Sequence, residues 1–197
     1  MGVPAGCSGR IDFCLDFANA LGRVHWRRYT KQMMKLAQNI LLSLPPELSH
    51  NLAISGLNAM GQLPGQITPL QGRKVTFLGH ELANPIGLAA GLDKDAQAVL
   101  GLAKVGFGFV EVGTVTPKAQ PGNPKPRLFR LKEHQALINR MGFNNQGVEA
   151  MAGRLEHVRQ SGRVSHTLIG VNLGKNKDTP LEEATQDYLI SMTRLYS

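Results

Sequence analysis

Three apolar runs after residue 70, each followed by an amphipathic stretch, constrain this chain more than anything else in it. Ile86–Ala90, Phe109–Thr114 and Thr167–Asn172 read as buried strands, with helices expected over Asp95–Lys104, 146–160 and Leu181–Leu195. A strand that returns to its sheet through a helix lies parallel to its predecessor, so the pattern predicts an α/β fold with a parallel sheet. Such sheets keep their chemistry at the C-terminal ends of the strands. At the first of these ends the chain reads N-P-I-G-L-A-A-G-L-D-K-D, residues 84–95. Ala89, Ala90 and Gly91 leave the backbone open to close approach, and Lys94 adds one cation. The combination suits a flat, electron-rich ligand.

Before residue 71 the pattern is helical. Met33, Leu36, Ile40, Leu41 and Leu44 form one apolar stripe, and Pro45-Pro46 breaks it. Pro46 can open a second helix through Met60, which Gly61 and Pro64 end. A helical hairpin over 31–64 could be the core of its own domain or a cap resting in a membrane interface. Residues 1–44 carry six Lys/Arg against Asp12 and Asp16, a net +4 of the chain's +8, and this favours an anionic membrane surface. Phe13, Phe17, Leu21 and Val24 recur at helical spacing, but residues 1–30 stay an unassigned extension.

Composition narrows the rest. With 42% hydrophobic and 18% charged residues, wholesale disorder is not expected. No apolar stretch nears the roughly 18 residues that span a bilayer, and no signal peptide is expected, since basic residues followed by an apolar core are lacking. Cys7 and Cys14 match no disulfide framework, and the six histidines are too scattered for a metal site. No metal is expected. Nucleic-acid binding would rest on net charge alone and is not expected either.

Small β-hairpins are predicted where Lys74–Leu78 and Glu81–Leu82 flank Gly79-His80, and where Leu128–Leu131 meets Ala136–Ile138. Further blocks follow the opening dozen. They are G-F-G-F-V-E-V-G-T-V-T-P-K at 106–118, continued through A-Q-P-G-N to P-R-L at 126–128; I-N-R-M-G-F-N-N at 138–145; and G-V-N-L-G-K-N-K-D-T-P at 170–180. In this order they resemble the quinone-linked (class 2) dihydroorotate dehydrogenases, continuously from about residue 70 and more weakly over 35–62.

That resemblance implies an FMN-containing (β/α)8 TIM barrel, of which this chain holds the first three β/α units behind an N-terminal helical hairpin. Residues 31–64 would be the membrane-contacting, quinone-tunnel hairpin and 71–197 the N-terminal part of the barrel. The implied reaction is oxidation of (S)-dihydroorotate to orotate, with FMN and a membrane quinone, in pyrimidine (UMP) biosynthesis. The implied location is peripheral, on the cytoplasmic face of a bacterial membrane.

By the same resemblance, Ala90, Gly91, Leu92, Asp93, Lys94, Thr114 and Asn172 would contact FMN. Lys94, Asn139, Arg140, Met141, Gly142 and Phe143 would hold the substrate. The plain alternatives are strand packing for Ala90 and Gly91, and turn or capping roles for Thr114 and Asn172. The family's serine base falls on a later loop, beyond Ser197, so no catalytic residue is assigned. A complete barrel takes about 250 residues. The chain is therefore expected to be a truncated piece that binds FMN weakly or not at all and does not turn over. Two other readings are a non-catalytic membrane-docking fragment and another FMN barrel oxidoreductase, such as a soluble class 1 relative.

Overall fold

The computed structural model describes residues 27–65, 67 and 70–196, so the helical spacing at Phe13–Val24 lies outside the described residues. The chain divides into two compact units, residues 1–39 and 40–197. Helix α1, Arg27–Ser43, carries the boundary between them. Met34 and Leu36 are exposed in the first unit, as are Ile40 and Leu42 in the second.

In the second unit, helix α2 spans Pro46–Gln62 with Pro46 in its first turn. There the ring's fixed φ suits the helix, and the missing N–H would have had no partner anyway. Helix α1 has no basic residue in its last turn. Arg130 serves instead, donating to the carbonyls of Leu41, Leu42 and Leu44 and satisfying C-terminal acceptors from outside the helix.

Strands β1 (Val75–Phe77) and β2 (His80–Leu82) pair antiparallel through Leu78 and Gly79, both at positive φ. Two such residues between paired strands match the twist of a hairpin. The main sheet contains β3 (Gly87–Leu88), β4 (Phe109–Val115) and β7 (Leu168–Leu173), in the order β3-β4-β7 and all parallel. Helix α3 (Val99–Val105) connects β3 to β4. A second hairpin, β5 (Leu128–Leu131) and β6 (Ala136–Asn139), and helix α4 (Val148–Gln160) lie between β4 and β7. Helix α5, Ala184–Tyr196, follows β7. The architecture is α/β, and the described strands form an open sheet, not a closed barrel.

The core lies on one face of this sheet. Val110, Val112 and Val115 of β4 are fully buried, with Val99 and Leu102 of α3 and Met151 of α4. On the opposite face, the Phe109 ring closes over Gly87 of β3 and Gly170 of β7, where an added Cβ would stand 3.0 Å from it. Helices α2 and α3 meet backbone to backbone. A Cβ on Gly101 would lie 1.9 Å from Leu57 O, and one on Gly61 2.7 Å from Gly101 N.

Several boundaries shift by a few residues, and the two beside the candidate site matter most. The strand expected over Ile86–Ala90 contracts to Gly87–Leu88, and the helix expected from Asp95 begins at Val99. Residues 89–98 form a loop with its own bonding instead. Gly91 N donates to Gly113 O at 2.8 Å, Gly113 N donates to Asp93 O at 3.0 Å, and the Asp93 carboxylate accepts from Gln97 N and Ala98 N. The aspartate thus satisfies N–H groups in the loop just ahead of the helix, holding residues 97 and 98 in a local turn before the helix begins. Among the described residues no helix is long and apolar enough to cross a membrane.

Candidate functional site

Because β3, β4 and β7 are parallel, their C-terminal ends open on the same side. Three of the expected residues meet there. Gly91 follows β3, and its N–H reaches Gly113 O, while Gly113 pairs in register with Asn172 of β7. Thr114 Oγ1 donates to Asn172 Oδ1 at 2.6 Å, so two polar side chains predicted to share a ligand are coupled to each other. Ala90 N donates to the Glu111 carboxylate at 3.3 Å, which braces the backbone just ahead of Gly91.

Gly91 is exposed, at φ +111°, and nothing lies within 4 Å of where its Cβ would stand. A side chain there would be strained and would occupy the open ground beside the strand ends. A flat ring resting on small residues, with hydroxyl and carboxamide groups at its edge and a cation nearby, suits this arrangement. The residues fit FMN.

Lys94 ties this side to a second loop. Its Nζ donates to Gly142 O and to Asn144 Oδ1, both at 2.9 Å. Burial pulls its pKa below the usual lysine range, and the Arg127 charge lowers it further, against Asp95 and Glu47. His50 of α2 is also pulled down, first by burial and then by Lys94. His50, Ile54, Leu92, Lys94, Met141 and Asn144 line a cleft of about 270 Å³.

The other expected residues divide by what their side chains do. Leu92 packs against the core, and Met141 is 4% exposed. Asp93 is 2% exposed; burial pushes its carboxyl up, while the Ala98 and Gln97 N–H groups draw it down. Its carboxylate caps backbone instead of facing a ligand. Asn139 and Arg140 are exposed, and Asn139 Oδ1 accepts from Met141 N at 3.0 Å in a local turn. Gly142 and Phe143 also border a wider cleft of about 550 Å³ with Gln120, Asn123, Lys175 and Lys177.

Sequence reasoning missed Asn144, Asn145 and Asn176. Asn145 is buried and bonds Thr116, Phe143 and Gly147. Asn176 accepts from Lys118 N and donates to Gln120 Oε1 and Lys118 O. The available signal was the tandem pair Asn144-Asn145 beside a glycine-containing loop, since paired carboxamides serve loops with many backbone groups to satisfy.

A parallel sheet that gathers small residues, a Thr–Asn pair and a restrained lysine at its carboxyl ends defines an α/β protein, with the candidate site where that class keeps its ligands. Comparison with known proteins narrows the class: the sequence model of the family described as dihydroorotate dehydrogenase matches residues 73–196, and the chain belongs to that family. It is 49% identical over 172 residues to a dihydroorotate dehydrogenase (quinone) of Stutzerimonas stutzeri, covering 83% of this chain and 47% of the relative. It is 50% identical over 167 residues to the protein of that name in Marinobacter nauticus, covering 83% and 48%. The ligand-free crystal structure of the Eimeria tenella dihydroorotate dehydrogenase superposes with a TM-score of 0.66 at 46% identity, over 77% of this chain and 43% of that one. The ferulenol complex of the same enzyme gives 0.64 at 46% identity, over 76% and 40%. The chain spans about half the length of the curated relatives it matches.

Proposed function

We propose that this chain provides the flavin-facing and substrate-facing first part of a quinone-linked dihydroorotate dehydrogenase, which oxidises (S)-dihydroorotate to orotate. The observation that carries this reading is Lys94, one half-buried ammonium joining the loop after β3 to the loop at 142–144. A fixed cation between a flavin-side and a substrate-side loop can pair with a carboxylate and stabilise negative charge on the neighbouring ring. FMN, when bound, supplies the hydride acceptor.

Ala90 and Gly91 would pack against the flat face of that group, and Thr114 and Asn172 would bond its polar edge. Leu92 and Asp93 would contribute through the main chain, since their side chains are turned to the core and to Gln97 and Ala98. Asn139, Arg140, Met141, Gly142 and Phe143 would hold the substrate, with the Asn139 amide nitrogen as donor. Residues 71–197 are read as the first three units of a (β/α)8 barrel. Residues 31–64 are read as the quinone- and membrane-facing element, consistent with exposed Leu48 and Leu52 on α2. That assignment makes the protein peripheral to the membrane, and the family resemblance supports its cytoplasmic face.

The test is NMR titration of the labelled chain with FMN and then orotate, a readout that tolerates weak binding. Shift changes confined to 90–94, Thr114, 139–144 and Asn172, and lost in Lys94→Met for orotate, are expected. Changes centred elsewhere, or orotate shifts that persist in Lys94→Met, would overturn the reading.

A further inference from the structure

Two neutral oxygens hold the Lys94 ammonium, while the acids around it are engaged with other groups. Asp93 directs its carboxylate to Gln97 N and Ala98 N at 2.8 and 2.7 Å. Asp95 Oδ1 accepts from Gln146 N at 2.7 Å. Glu47, on the facing helix α2, pairs with Arg127 at 2.7 Å and with Lys125 at 3.2 Å. His50, on the same helix, is held toward its neutral form by burial. What touches Lys94 Nζ is a backbone carbonyl and a carboxamide, Gly142 O and Asn144 Oδ1.

We propose that Asn144 is a positioning residue for Lys94: its carboxamide aims the ammonium without neutralising it, so that the charge stays available to an anionic ligand. This rests on the role assigned to Lys94 above. An ammonium has three donors, and the two oxygens occupy two of them, leaving one for a ligand. A carboxylate at position 144 would compete with that ligand as a full counter-charge. Behind the contact, Arg154 donates to Asp95 O and to Gln146 Oε1, fastening the two loops together so that Asn144 and Lys94 keep their spacing.

The full chain with 15N-labelled lysine gives a direct readout, with the Lys94 signal assigned by its loss in Lys94→Arg. Asn144→Asp is expected to raise the Lys94 pKa by about one unit or more; an unchanged value overturns the proposal. Asn144→Ala, which needs no new charge to be accommodated, is expected to speed acetylation of Lys94 by sulfosuccinimidyl acetate about fivefold. The internal control is Lys104, whose Nζ is held by Met60 O and Leu63 O and whose rate should not change. Equal acceleration at both lysines marks general loosening and overturns the proposal, as does no acceleration. Neither readout needs flavin or orotate. Protection of wild-type Lys94 by orotate is measured separately, and its absence overturns the ligand role of Lys94 while the other two readouts still decide whether Asn144 positions it.

Discussion

Glu47 of α2 and Arg127, just ahead of β5, form an ion pair 2.7 Å across, with 7% of the Arg127 side chain and 18% of the Glu47 side chain exposed. Eighty residues apart in the chain, they join the helical segment to the hairpin. Arg127 also donates to Pro121 O and Asn123 O, so it organises a loop as well as a charge.

The pair should make stability depend on acid. The Arg127 hydrogen bond, chiefly, holds the Glu47 carboxyl below its ordinary 4.5. A carboxyl with a lower pKa folded than unfolded contributes stability that is fully present above the unfolded value and lost as pH falls through the folded one. Urea midpoints measured from pH 6 down to 3 should therefore fall more steeply for the wild type than for Glu47→Gln. At neutral pH, Arg127→Met should cost about 3 kcal/mol, because it strands two carbonyls and leaves the Glu47 carboxylate only the exposed Lys125 as a partner.

Gly101 tolerates no side chain. With its Cβ position 1.9 Å from Leu57 O, Gly101→Ala must part α2 from α3. The expected loss is about 3 kcal/mol in urea unfolding, whereas Gly153→Ala, whose Cβ would meet nothing within 4 Å, should be neutral or slightly stabilising.

Asn145 should prove more important to the 139–147 loop than any residue of that loop nominated from sequence. It is 6% exposed, and its carboxamide serves Thr116 N, Phe143 O and Gly147 N. Asn145→Ala should cost about 3 kcal/mol. Hydrogen exchange at Thr116 and Gly147 should accelerate before global unfolding does.

Thr114→Val keeps the shape of the side chain but removes its donor to Asn172. A loss of about 1 kcal/mol in thermal or urea unfolding is expected, with Thr114→Ser close to the wild type.

The order of elements was legible because periodicity is local: alternation marks β4, and the spacing of Val99, Leu102 and Ala103 marks α3. The loop between β3 and α3 was not legible. Its conformation depends on Gly91 reaching Gly113 across the sheet and on a capping carboxylate that the sequence presents as one more acid beside Lys94. Thr114 and Asn172 stand at the ends of β4 and β7, whereas Lys94 lies within that loop beyond β3, and the roles expected of all three came from the family resemblance. The contact of Asn144 with Lys94 was not legible, because the two lie 50 residues apart and nothing in a single sequence records it.

Among the described residues, β3 and β7 each have a strand on one side only. All six positions of β7 are half-buried. In dilute solution water can satisfy the donors and acceptors along such edges. As concentration rises, each edge becomes a template on which any extended segment can register, including one from another copy. Assembly then becomes a race, decided by which strand arrives first and how fast it leaves.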